Sequence, residues 1–115
     1  MVMRMGTVGT HVIAELYDCP SEMLRTVSTV KAILRRVVKE SNFNSLGETF
    51  HQFKPHGVTG VIILSESHIS VHTWPEKNFA AVDIFTCGNN DPEYAFKLLV
   101  KYIKAGNYNK KVIHR

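Results

Sequence analysis

The chain has 115 residues, 44% hydrophobic and 21% charged, a balance that fits one globular domain and excludes a disordered or collagen-like chain. Two cysteines, Cys19 and Cys87, are too few for a disulfide scaffold and are expected as free thiols in a reducing, cytoplasmic setting. The formal charge of +4 is weighted to Lys97, Lys101, Lys104, Lys110, Lys111 and Arg115. That run is expected as a solvated helix face and tail, not a nucleic-acid surface, because no RNA-binding motif accompanies it.

Apolar runs such as Val61–Leu64 are far too short to cross a bilayer. Met1–Gly9 lacks the apolar core of a secretory signal. No membrane partner is expected.

In chain order, Thr10 to Tyr17 alternates apolar and polar residues and predicts a strand. Asp18-Cys19-Pro20-Ser21 breaks it. From Ser21 to Glu40 apolar residues recur every three or four positions, including Leu24, Val27, Val30, Leu34 and Val37, which predicts one amphipathic helix. Asn42–Gly47 reads as a turn, Glu48–Lys54 as a strand, and Pro55-His56-Gly57 as a second turn. Val58–Leu64 is almost wholly apolar and predicts a central strand buried on both faces. Ser65-Glu66-Ser67 is a hairpin-sized interruption, His68–Trp74 and Phe79–Cys87 are strands, and Pro75–Asn78 turns the chain between them.

Asp91-Pro92-Glu93 opens a second helix with a cap, a first-turn proline and an acid. Gly106 should stop it, and Lys111–His114 adds a short edge strand.

The order β-α-β-β-β-β-α-(β) implies an α+β two-layer sandwich: a mainly antiparallel sheet with two helices on one face. The other face, carrying aromatics and histidines, needs cover. A homodimer with sheets facing is expected.

Several groups bear on chemistry. His68 and His72 share a strand face, and a metal there would draw its third ligand from His51, His56 or Cys87. No ligand motif is present, so no metal is expected. A hydrolase elbow is also absent. A turn serine beside histidines, such as Ser65 or Ser67, can attack its own backbone only with a strained peptide and a proton carrier. Phe53, Trp74 and Glu76 can sandwich a planar ring and hold hydroxyls, or serve only in packing.

The run Phe50 to Gly88, with S-E-S-H-I-S-V-H-T-W-P-E and A-V-D-I-F-T-C-G, and the early G-T-H-V-I-A-E-L-Y-D-C-P resemble the prokaryotic S-adenosylmethionine decarboxylase proenzymes over nearly the whole chain. The resemblance implies a proenzyme that cuts itself between Glu66 and Ser67 into residues 1–66 and 67–115. Ser67 would become a covalent pyruvoyl group that forms a Schiff base with S-adenosylmethionine and releases carbon dioxide, giving the aminopropyl donor of spermidine synthesis. By the same resemblance His72 serves processing as proton carrier with Thr59 in support. Cys87 protonates the substrate carbon, Phe53 and Trp74 stack on the adenine, and Glu76 binds the ribose. Lys77-Asn78 departs from the family's more usual pair ending in glycine. The alternatives are a pyruvoyl-dependent arginine or ornithine decarboxylase of the same kind, or a catalytically silent partner subunit.

Overall fold

A computed structural model describes residues 8–115. The expectation about a secretory signal therefore falls almost wholly outside the described residues. Six strands form one antiparallel sheet: β1 Thr10–Tyr17, β2 Ser45–Gln52, β3 Val58–Leu64, β4 Ser67–Trp74, β5 Phe79–Thr86 and β6 Asn107–His114. Their spatial order is β2-β3-β4-β5-β1-β6, so the hairpins β2-β3-β4-β5 lie side by side and β1 inserts between β5 and β6. Helices α1 (Val27–Glu40) and α2 (Pro92–Ile103) cover one face. This is the two-layer α+β sandwich expected from the element order.

Alternation along each strand sorts side chains between the faces. Val12, Ala14 and Leu16 on β1, Ile69 and Val71 on β4, and Val82 and Ile84 on β5 are buried beneath the helices. They meet Val30, Leu34 and Val37 from α1 and Phe96, Leu99 and Ile103 from α2 in one core. The opposite face is open. Ile63 on β3 is 52% exposed and Val61 only partly buried. The expected central strand buried on both faces is thus corrected: β3 is second from the edge and buried only toward the helices. Its apolar residues on the open side answer to something other than this chain's own core.

The first helix also differs from expectation. Pro20 leads into a separate 3-10 turn, Ser21–Met23. α1 starts six residues later, at Val27, where the Thr26 hydroxyl caps the Thr29 N–H. β2 begins at Ser45, earlier than expected, because Asn42 already turns the chain with φ 59°.

The second helix ends on Lys104 in the left-handed conformation, φ 64°. Gly106 serves instead where β6 starts. Its N–H bonds Tyr17 O and Asp18 O, and a Cβ there would lie 2.9 Å from Asp18 Cβ. β6 is a full eight residues, twice the expected edge strand. Asn78, in the place where glycine is more usual, sits at φ 52°. Asparagine tolerates that backbone better than most residues, and its side-chain amide donates to Cys19 O at 2.9 Å.

Cys19 is buried, and burial followed by the neighbouring Asp18 charge pushes its thiol up to about 11, which leaves it an inert packing group. The basic run is dispersed: Lys110 reaches Glu93 at 2.9 Å on the helix side, whereas Lys111, one residue on, points to the other face. Among the described residues no helix is long and apolar enough to cross a membrane.

Truncating Leu34, fully buried between helix and sheet, to alanine is expected to cost about 2–5 kcal/mol through the cavity it leaves. Asp91→Ala, which removes only the cap on Glu93 N, should cost about 1 kcal/mol. Urea denaturation of the two variants checks the ranking.

Candidate active site

The residues singled out in the sequence fall into two groups at opposite ends of β4, and strand geometry accounts for both. The first group surrounds the β3–β4 hairpin. Leu64 pairs with Ser67, leaving Ser65 and Glu66 as a two-residue turn. Two-residue hairpins favour turns with left-handed residues, which match the strand twist. Neither Ser65 nor Glu66 has positive φ; the left-handed backbone falls on Ser67, φ 149°. A side-chain-bearing residue in that region stores strain, here next to the Glu66–Ser67 peptide.

Four further hydrogen bonds hold this peptide and its turn. The Cys87 N–H donates to Glu66 O at 2.9 Å. The Glu66 carboxylate accepts from the Asn44 backbone N–H at 3.0 Å and from its side-chain amide at 2.8 Å. The Ser65 N–H donates to Asn44 O at 2.9 Å. Burial alone raises the Glu66 pKa, but the Asn44 donors outweigh it and hold the carboxyl below its usual range. Asn44 carries no motif signal, and nothing in its sequence context distinguishes it from any other turn asparagine.

Cys87 follows the last residue of β5. Because Thr86 pairs with Ser67, the thiol comes beside the hairpin. Cys87 is exposed and, by alternation from Asp83 and Phe85, belongs to the open face.

The second group sits at the far end of β4. Thr59 pairs with His72, and Thr59 Oγ1 lies 3.1 Å from His72 Nδ1. Phe53, Thr59, His72, Trp74 and Glu76 line a single cavity of about 250 Å³, together with His56, Gly57 and Thr73. Glu76 Oε1 is 3.6 Å from His56 Nε2. Phe53 and Trp74 are 46% and 37% exposed, so both present ring surface at the cavity mouth. Gly57, φ 112°, lets the chain return into β3 against Thr73 O, 3.4 Å from where its Cβ would be. Five residues drawn from three separate segments thus form one wall, although spacing alone leaves them equally readable as packing.

Ser67 and His72 do not meet. The sequence requires a bulge or a turn to bring them together, but β4 pairs without interruption with β3 from Ser67 to His72 and with β5 from Ser67 to Trp74. Five residues of strand separate them by roughly 16 Å.

His68 and His72 do share the open face, as expected, but each has its own partners. His68 Nε2 lies 2.7 Å from Asp83 Oδ2, and so does His11 Nε2, while His72 stays with Thr59. The possible third ligands His51, His56 and Cys87 take no part. The Ser70 hydroxyl donates to Asp83 Oδ1. Burial raises the Asp83 pKa, but the donors Ser70, His11 and His68 together bring it below the usual carboxylate range. His11 and Asp83 are ordinary strand residues in the sequence, and only the β1-β5-β4 register brings them together.

The S-adenosylmethionine decarboxylase family model matches residues 10–115. An S-adenosylmethionine decarboxylase proenzyme of Sulfurihydrogenibium is 44% identical over 95% of this chain and 83% of its own length. One from Archaeoglobus fulgidus is 42% identical over 94% and 97%. The crystal structure of the adenosylmethionine decarboxylase from Aquifex aeolicus superimposes with a TM-score of 0.89 at 37% identity, covering 95% of this chain and 91% of that one. A match of this extent, over the strands that carry both groups of residues, places the chain in the S-adenosylmethionine decarboxylase family.

Proposed function

We propose that the chain is a self-processing S-adenosylmethionine decarboxylase whose active sites form between two copies packed open face to open face. The observation that carries this reading is the separation of the two residue groups along β4. A twofold axis through the open face, running across β4, would lay the Thr59–His72–Trp74 end of one copy over the Ser67–Cys87 end of the other. Each dimer would then hold two complete sites. The exposed Ile63, Tyr17, Trp74 and Ile113 supply the apolar surface such packing needs.

Processing follows from the hairpin. Ser67 Oγ attacks the Glu66 carbonyl carbon, and the Cys87 N–H, already 2.9 Å from Glu66 O, stabilises the negative charge that develops there. The C–N bond breaks, the nitrogen takes a proton, and the acyl group passes to the serine oxygen. Relief of the left-handed backbone at Ser67 favours this direction. Loss of the Ser67 α-proton then expels the Glu66 carboxylate, and hydrolysis releases ammonia. The partner copy's counterpart of His72, its ring fixed by Thr59 at Nδ1, carries protons through Nε2.

The hairpin suits the resulting group at position 67: it is a chain end at the rim of the sheet, beside an accessible thiol. The ketone left there supplies the electron sink for loss of carbon dioxide. Cys87 returns a proton to the substrate carbon. Phe53 and Trp74 bracket the adenine and attract the cationic sulfonium, and Glu76 accepts hydrogen bonds from the ribose hydroxyls. This aromatic and acidic wall favours the nucleoside substrate over arginine or ornithine. Carbon dioxide release from each of the three substrates discriminates among them, and release from arginine or ornithine alone would overturn the reading.

Three outcomes are expected. By intact mass, the parent chain should resolve into residues 1–66 and 67–115, whereas Ser67→Ala stays full length. Asn44→Ala, which frees the Glu66 side chain, should slow the appearance of the two pieces without stopping it. Glu76→Gln should process normally and raise KM for S-adenosylmethionine roughly 10- to 100-fold, the loss of a charge-assisted hydrogen bond. An unchanged KM would remove Glu76 from the ribose site.

A further inference from the structure

The open face carries a second constellation, to which the proposed reaction assigns no role. His11 on β1, Asp83 on β5 and His68 on β4 present three ligand atoms that all lie within 4.8 Å of one another. His11 and His68 both pair with Phe85 across the sheet, in the row next to Asp83, and both rings slant toward its carboxylate. Their planes stand at 88° with centroids 6.0 Å apart. Each Nε2 is 2.7 Å from Asp83 Oδ2, and the Ser70 hydroxyl holds Oδ1.

We infer that His11, His68 and Asp83 form a binding site for a divalent transition-metal ion of the zinc class. Two imidazoles and one carboxylate are a ligand set that such ions take with a fourth position open. The ligands stand on three adjacent strands of one sheet, a scaffold rigid enough to hold them in place. Ser70 supplies the outer hydrogen bond that orients a metal-bound carboxylate.

Ligand atoms around a four-coordinate zinc stand about 3.3 Å apart, so each Nε2 must draw back from Asp83 Oδ2, 2.7 Å away, and the two Nε2, within 4.8 Å of one another, must settle to the same spacing. Each histidine then carries its proton on Nδ1 and offers the Nε2 lone pair. Arg115, whose Nη1 is 3.4 Å from His11 Nδ1, must turn aside to leave room for that proton, and its exposed position allows this.

The inference does not depend on the proposed reaction, and its readout is metal content. Untagged full-length protein is purified from zinc-supplemented culture, dialysed, and measured for zinc per chain. Cobalt(II) titration then follows the visible absorption of the bound ion. About one ion per chain is expected, retained in Cys87→Ser and His72→Ala and lost in His68→Ala and Asp83→Ala. Ser70→Ala, which leaves all three ligands, should weaken cobalt binding roughly 10- to 100-fold. That variant keeps the test decisive if a ligand variant does not fold. Metal-free parent protein that also fails to bind added cobalt overturns the site, as does zinc that persists in Asp83→Ala or is lost in Cys87→Ser.

Discussion

A β-strand cannot fold back on itself, and the organisation of this molecule depends on that constraint acting on β4. The strand begins at the strained serine and ends at the tryptophan, paired on both sides along its length. Whatever chemistry needs Ser67 and His72 together cannot be done within one chain. The same rigidity makes each half-site accurate. Thr59 is fixed opposite His72, and Thr86 opposite Ser67, by backbone registers that no side-chain motion can change.

The two faces of the sheet divide the work. Toward the helices, Val12, Ile62, Ile69, Val71 and Ile84 are essentially inaccessible and form the sheet's side of the shared core. On the open side the histidines, Asp83, Thr59 and the exposed aromatics, which carry the proposed chemistry, are placed on a frame stabilised from behind. Substitution on this side should therefore disturb chemistry and association before it disturbs folding. The hairpin is the exception, because the left-handed Ser67 is a local cost that the neighbouring ladders of β3 and β5 sustain.

Much of the fold was legible in the sequence, for identifiable reasons. β3 and the start of α2 were readable to the residue, since Pro55-His56-Gly57 and Asp91-Pro92 are strong punctuation. The start of α1 was not, because Leu24 and Val27 continue a helical spacing across a 3-10 turn and a break. β3 looked buried on both faces because its open side is also apolar. That is the composition expected of a surface meant for a second copy, and one chain alone cannot distinguish the two cases.

Within the candidate site, the S-E-S-H and H-T-W-P-E strings marked the residues through resemblance. Periodicity hinted at the split, since five residues on a strand reverse the face, but did not establish it. Asn44, His11 and Asp83 were invisible as partners because their contacts depend on strand order, which no local pattern encodes. The most direct test of the central claim is complementation between two variants, His72→Ala and Cys87→Ala, each expected to be inactive alone. If sites form across two copies, co-expressed chains should assemble mixed dimers with one intact site each. With random pairing, activity should recover to about a quarter of the parent level, and the His72→Ala chain, uncut when alone, should be cleaved to about half. Failure of the mixture to recover any activity, with mixed dimers shown to form, would contradict a shared site.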